Sequence, residues 1–460
     1  MNPSRALNPS DPAPALLFIR GRAACDAGGV LAAPGAVLVR LNAVLGDTPG
    51  VRCELLAAGT PDDVSRHALA PGARAVECPD AVLIPGLINA HTHLDLTSIG
   101  PIAHEPADGF VAWVNQVRSR RAQTRESVAA AVARGVELSL AGGVVAVGDI
   151  AGAVQGVPCA WAAEALSNSS LSGVSYLEFF GIGAHEPRAA ALLKAIALDV
   201  ARSSAEGGPV RLGLQPHAPY SVSLELFQEV ASFARHMGVR VATHLSESPE
   251  ELEFVASGTG PLADLLREVD AWDESMESTF TNPGVTPVRW LEPALRQARF
   301  VAAHVNHCDD ADIEVLVKSR TSVAYCPRAS AYFGAPDRLG PHRYRELLAA
   351  GVNVILGTDS LLNLPAQAAD PATGGMSTLD EMRLLYRRDG TDPSTLLAMG
   401  TTGAARGLGF HPASFLLSGP LGGPIGGVVA VPIAGEAADD PLAAIMESDA
   451  PPSLLVHGMV

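Results

Sequence analysis

Lysine is almost missing from this chain of 460 residues, which holds only Lys194 and Lys318 within a Lys+Arg total of 32. The arginine bias, with abundant alanine and glycine, reads as the product of a GC-rich genome. It also removes lysine from most candidate chemistry. Basic charge is scarce overall: Asp+Glu total 49, and the net charge is −17. Such a surface disfavours nucleic acid and anionic membrane as partners. The six cysteines (25, 53, 78, 159, 308, 326) form no CxxC pair. That excludes a disulfide framework and points to reduced thiols in the cytoplasm. No run of about 18 apolar residues exists to span a membrane. The opening MNPSRALNPSDPAPALL lacks the apolar core of a signal peptide. With 48% hydrophobic and 18% charged residues, a largely disordered chain is excluded too.

What is present is a change of rhythm along the chain. Residues 1–80 and 406–460 carry short β-rich runs between Gly, Pro and Asp, such as GAVLVRLNAV and VVAVPI. These two ends are expected to join as one small β-sheet domain. Between them, at 81–405, eight apolar strand-like runs alternate with helical stretches: 81–90, 143–150, 174–182, 210–216, 239–245, 299–305, 322–327 and 352–358. The helix after Thr124 shows the pattern, with Val128, Val132, Val136 and Leu140 at four-residue spacing and Gly142 as its stop. Eight such units predict an α/β fold, a (β/α)8 TIM barrel. A doubly wound sheet is the alternative, weakened by the lack of GxGxxG after the first strand. The polar stretch 271–288 reads as a long loop after the fifth strand.

Thirteen histidines are present, and five fall at predicted strand ends: His91, His93, His217, His244 and His304. Asp359 ends the eighth strand. All strand C-termini of a barrel face one way, so these six converge on one mouth. Spacing of two on a strand aims His91 and His93 to the same side, as a metal requires. A hydrogen-bonded core pair is the alternative for HxH alone. With His244 and Asp359 added, four N/O ligands suit Zn²⁺ or Fe²⁺. Glu247, three residues after His244, is placed as a general acid, whereas Glu250 and Glu251 read as exposed residues opening the next helix. His304 is placed to hold an attacking hydroxide. His217, in QPHAPYS, reads as a substrate contact. Glu178 points either into the mouth or into the barrel. His307 reads as structural, and His67, His104, His185, His236, His342, His411 and His457 as surface or capping residues.

Taken together and in order, HTHLDL (91–96), QPHAPYSVS (215–223), THLSES (243–248), AAH (302–304) and GTDS (357–360) resemble the amidohydrolase superfamily. More closely they resemble its metal-dependent deaminase and chlorohydrolase branch, which implies that the flanking segments 1–80 and 406–460 form a β-sandwich beside the TIM barrel. The resemblance implies His91, His93, His244 and Asp359 as metal ligands and Glu247 as proton shuttle. It implies His304 as the group that orients the nucleophile, with Asp359 accepting its proton. Two-metal members bridge their ions through a modified lysine. Neither lysine here ends the fourth strand, so one divalent ion is expected, zinc ahead of iron.

After the seventh strand the branch's CPxSN run is replaced by Cys326-Pro327-Arg328-Ala329-Ser330-Ala331-Tyr332-Phe333. Arg328 is a candidate to bind a carboxylate or phosphate on the substrate, and Phe333 to stack on a ring. Trp113 is either a substrate lid or a helix-core aromatic. The implied activity is hydrolytic deamination of an aminated N-heterocycle, purine or nucleoside-like, with release of ammonia. The alternatives are a cyclic-amide hydrolase, a chlorohydrolase, or a non-catalytic barrel scaffold. The acidic surface leaves room for a homodimer.

Overall fold

The computed structural model describes residues 15–44, 50–206, 208–434 and 440–460. Of the segment read for a leader, residues 1–17, the first fourteen lie outside them. Two eight-stranded sheets organise the described residues. The first contains β1 (Ala15–Asp26), β2 (Gly29–Ala32), β3 (Gly35–Val44), β4 (Gly50–Gly59) and β5 (Arg74–Pro85). The second contains β6 (Leu87–Thr92), β7 (Val144–Ala151), β8 (Ser172–Phe179), β9 (Val210–Pro216) and β10 (Arg240–Leu245). It is completed by β11 (Phe300–His304), β12 (Ser322–Tyr325) and β13 (Val354–Leu356). The chain then returns to the first sheet as β14 (Gly423–Pro424), β15 (Gly427–Pro432) and β16 (Ser453–His457).

Strands β6 to β13 run in chain order, each parallel to the next. The ring closes where Thr92 bridges Asp359 and the Asp359 N–H donates to the His91 carbonyl at 3.0 Å. This is the (β/α)8 barrel. Alternation sorts its side chains into two cores. Ile88, Tyr176, Ala242, Val301, Ala324 and Ile355 fill the interior, while Val241, Phe300, Ala302, Val323 and Leu356 pack outward against the helices. The helix Arg125–Ala141 shows how local sequence sets that outer layer. Thr124 caps its start by accepting from the Ser127 N–H, Val128, Val132 and Val136 are buried, and Gly142 ends it.

The other sheet draws strands from both ends of the chain. Residues across its whole strand order, from Leu55 and Val39 to Val428 and Val456, share one core, so the sheet folds over itself beside the barrel. Two expectations are corrected. Residues 81–90 are not one strand: Ala81–Pro85 belongs to β5 and pairs with β15, and the barrel begins at Leu87. Gly86 sits between them because a Cβ there would meet Val145 side-chain carbons at 2.7 and 2.8 Å. The stretch 271–288 is not one loop either. Asp273 caps a short helix, Glu274–Thr279, and Thr286 caps another that starts at Pro287. Among the described residues no helix is long and apolar enough to cross a membrane.

Candidate active site and metal centre at the barrel mouth

The C-terminal ends of β6, β10, β11 and β13 bring His91, His93, His244, His304 and Asp359 together, all buried. The His93 and His244 Nε2 atoms lie 3.3 Å apart. Asp359 Oδ1 is 3.5 Å from His93 Nε2 and 3.8 Å from His91 Nε2. These gaps suit ligands better than hydrogen bonds, because two atoms bound tetrahedrally at ~2.0–2.1 Å stand roughly 3.3–3.4 Å apart. The His91 and His304 Nε2 atoms are buried without any hydrogen-bond partner. A buried polar atom left unpaired is costly, and a cation removes that cost here. Burial and the neighbouring imidazoles hold His91 far below the usual histidine range, and burial with His217 brings His244 down to about 3. The rings are therefore neutral and offer lone pairs. His244 is oriented through Nδ1, which faces the Gln215 amide at 3.1 Å and the His217 carbonyl at 3.3 Å. The residues have the donor chemistry of a divalent-metal site.

Beside this cluster, Glu247 Oε1 faces His304 Nε2 at 3.5 Å. One donor atom each from Glu247, His304 and Asp359 lie within 4.8 Å of one another. Burial, then the Asp359 charge, lifts Glu247 well above the usual carboxyl range. Its backbone is pinned from two sides. The N–H groups of Ser246 and Glu247 donate to the Glu251 carboxylate at 2.9 and 2.8 Å, and Asn306 Nδ2 donates to the Glu247 carbonyl at 2.9 Å. Glu251 is thus fully buried, and Glu250 is buried against Arg338 at 2.8 Å, so the exposed roles expected for both are corrected. The mouth also gathers backbone strain. Ser246, His304, Val305 and Asp359 all have positive φ, at 53°, 72°, 50° and 58°.

A cavity of about 630 Å³ opens from this cluster. His217, Glu178 and Trp113 line it, together with His93, His244, Glu247 and Asp359. His217 is aimed by its Nδ1 contact to Ser221 Oγ at 2.7 Å, and its Nε2 is 3.9 Å from Glu178 Oε1. Arg328 does not reach the cavity. Its Nε donates to Glu381 Oε1 at 2.5 Å and its Nη2 to the Ser377 carbonyl at 2.9 Å, so its charge is already matched. Phe333 does not line the cavity either. It packs edge-on against Trp113, with centroids 5.0 Å apart, and supports that ring from behind. His342, read as a surface or capping residue, is instead buried behind β11, whereas His185 is exposed as expected and also lines the cavity.

Arg121 was not singled out by the sequence, yet it lines the cavity between Asp95 Oδ2, at 2.8 Å, and Glu178 Oε2, at 3.6 Å. Room for it comes from Gly152, where a Cβ would lie 1.2 Å from its Nη2. The one available signal was Asp95, two residues beyond His93 in HTHLDL. Both lysines lie exposed on outer helices, away from the mouth.

A parallel barrel whose mouth joins four imidazoles and two carboxylates defines a metal-site barrel with a deep ligand cavity. Comparison with known proteins narrows this class. The amidohydrolase family profile matches residues 82–414, and the chain belongs to that family. Aminodeoxyfutalosine deaminase from Deinococcus radiodurans is 32% identical over 396 residues, covering 82% of both chains. Two solved structures share the fold. Zinc-bound adenosine deaminase from Xanthomonas campestris aligns with a TM-score of 0.68 at 20% identity, covering 96% of this chain and 90% of its own. Helicobacter pylori aminofutalosine deaminase with methylthio-coformycin aligns at 0.67 and 18% identity, covering 96% and 100%.

Proposed function

We propose that this protein is a metal-dependent hydrolase of cyclic amidines that deaminates an adenosine derivative and releases ammonia. The observation that carries this is the trio of Glu247, His304 and Asp359 facing one space beside the imidazole cluster. The kinship with a deaminase of 32% identity supports the same reading. His91, His93, His244 and Asp359 are the proposed ligands of a single ion, with zinc favoured by the ion bound in the Xanthomonas campestris structure. When bound, such an ion acts as a Lewis acid and lowers the pKa of water toward ~7.

The chain's own residues carry the remaining roles. Asp359 accepts a proton from the attacking water. His304 Nε2 orients that water toward the ring carbon that bears the amino group. Glu247 delivers its proton to the adjacent ring nitrogen, so negative charge never accumulates there. Return of a proton to the amino group lets ammonia leave, and water plus amine becomes oxo-heterocycle plus ammonia. His217, Glu178 and Trp113 line the space for the substrate, which at about 630 Å³ accommodates a nucleoside with a substituent. The six unpaired cysteines agree with a cytoplasmic setting.

The test is ammonia release by zinc-supplemented protein across a panel. It includes aminodeoxyfutalosine, 5-methylthioadenosine, S-adenosylhomocysteine, 5′-deoxyadenosine, adenosine, guanine, a chlorotriazine and a cyclic amide. Release from an adenosine derivative above all others is the expected result. Chloride release or ring opening without ammonia would move the reaction to displacement or cyclic-amide hydrolysis. No turnover and no bound metal would leave a scaffold.

A further inference from the structure

Strand β11 ends in a way that regular pleating forbids. Phe300 and Ala302 face the outer helices, and Val301 faces the barrel interior. By alternation His304 belongs with the outward set. It nevertheless sits in the mouth, its ring centroid 5.4 Å from His91 and 5.5 Å from His244. Two consecutive left-handed residues make the turn, His304 at φ 72° and Val305 at φ 50°. Val305 is β-branched and rarely adopts that conformation. Something must hold the backbone there.

Part of the hold comes from β10. The Val305 N–H donates to the Leu245 carbonyl and the Asn306 N–H to the Ser246 carbonyl, both at 2.9 Å. The His304 carbonyl is turned away and accepts from His342 Nε2 at 2.9 Å. A carbonyl only accepts, so His342 carries its hydrogen on Nε2. Its Nδ1 is buried with no partner, which leaves that single bond as the ring's polar contact. The ring is fixed by stacking on Tyr325 of β12, with centroids 3.7 Å apart and 22° between planes. Tyr325 is held in turn by Arg388, whose Nη2 donates to its hydroxyl at 3.3 Å. His342 does not line the cavity.

We infer that His342 is a positioning residue for the reaction, holding His304 in its left-handed turn and so aiming the His304 imidazole into the barrel mouth. This rests on the deaminase reading for its kinetic consequence, and on geometry alone for its structural one. The donor, and not merely the ring's bulk, is what matters. His342→Phe keeps a stacking ring and removes the donor. His342→Gln keeps an N–H near the Nε2 position.

The experiment measures ammonia release, metal content and a crystal structure for both variants. H342F is expected to lose at least tenfold in kcat, with KM within twofold and metal content unchanged, and its His304 to relax from positive φ. H342Q is expected to keep at least a third of wild-type kcat. An H342F kcat within twofold of wild type would overturn the inference, and so would equal losses in H342F and H342Q. If H342F does not fold, H342M replaces it, being flexible and without a donor. If the wild type deaminates nothing on the panel, the functional reading falls separately. The crystal structure then decides alone: His304 still left-handed in the donorless variant overturns the positioning role.

Discussion

Two buried polar clusters lie close together in this fold and behave oppositely. In the barrel mouth, imidazoles and carboxylates crowd one another, and the Nε2 atoms of His91 and His304 find no partner. Behind the end of β12, Glu381 is fully buried with a half-buried Arg328 against it, but there the charges are matched. The Arg328 backbone N–H and guanidinium embrace the Glu381 carboxylate, and the Ser377 carbonyl takes Nη2. Burial and charge alone do not separate the two. Satisfaction does. A closed network holds structure, whereas open lone pairs around a shared space await a ligand. Arg328 looked like a substrate anchor because its sequence neighbours sit at the mouth. Its side chain runs the other way.

That contrast is open to attack at several points. The largest effect is expected from Glu247→Gln, which should lower kcat for ammonia release by ~10²–10⁴ with metal content and Tm unchanged. A loss below tenfold would remove Glu247 from proton transfer. Arg328→Met should instead cost stability, about 3–5 kcal/mol by denaturant titration, because Glu381 stays buried without its partner. The surviving folded enzyme should keep its KM. Adding Glu381→Leu should recover most of the stability, since replacing both partners removes the stranded charge. A tenfold rise in KM with stability intact would return Arg328 to the mouth.

Stripping the cation with a chelator should lower Tm reversibly. The folded state gains about 2.7–4.1 kcal/mol when free metal exceeds its Kd ~100–1,000-fold. Readdition of zinc should restore it, and an unmoved Tm would deny the cluster its metal.

His342 offers a subtler comparison. Burial pushes it down to about 4 from an ordinary 6.5, with the Arg388 charge acting in the same direction and Asp389 and the His304 carbonyl opposing. A histidine whose folded pKa is depressed stabilises the fold above 6.5 and loses that contribution as pH falls toward 4. The difference between wild type and His342→Gln in denaturant stability should therefore grow by up to about 3 kcal/mol from pH 4 to 6.5, and level off above. A flat difference would mean that protonation of His342 is not resisted.

Much of the site was legible because strand ends obey a simple rule. A β-run that stops at His, followed by a helix, puts that His at the barrel mouth, and four such runs bring five histidines there. The helix after Thr124 was equally plain, since its cap, its stripe and its stop are all local. The boundary near Gly86 was not. AVLIPGLINA is uniformly apolar, and only the passage from one sheet to the other divides it. Glu251 escaped for a related reason. Opening a helix normally means exposure, but here the chain folds back so that its carboxylate receives two backbone N–H groups. Arg121 left no signal beyond its partner Asp95, since its role arises where the end of a helix meets Gly152 and Asp95.

The sequence by itself determined the barrel, the convergence of His91, His93, His244, His304 and Asp359, and the place of Glu247 beside them. Each of these follows from the common direction of parallel strand ends, and the side shared by His91 and His93 from the two-residue period of strands. The tertiary structure alone decided which charges are matched, which face Arg328 and Phe333 present, and how His304 enters the mouth against the strand's own alternation. Those outcomes depend on atoms that are distant in the chain and meet only after folding: Glu381 with Arg328, Trp113 with Phe333, and His342 with the carbonyl of His304.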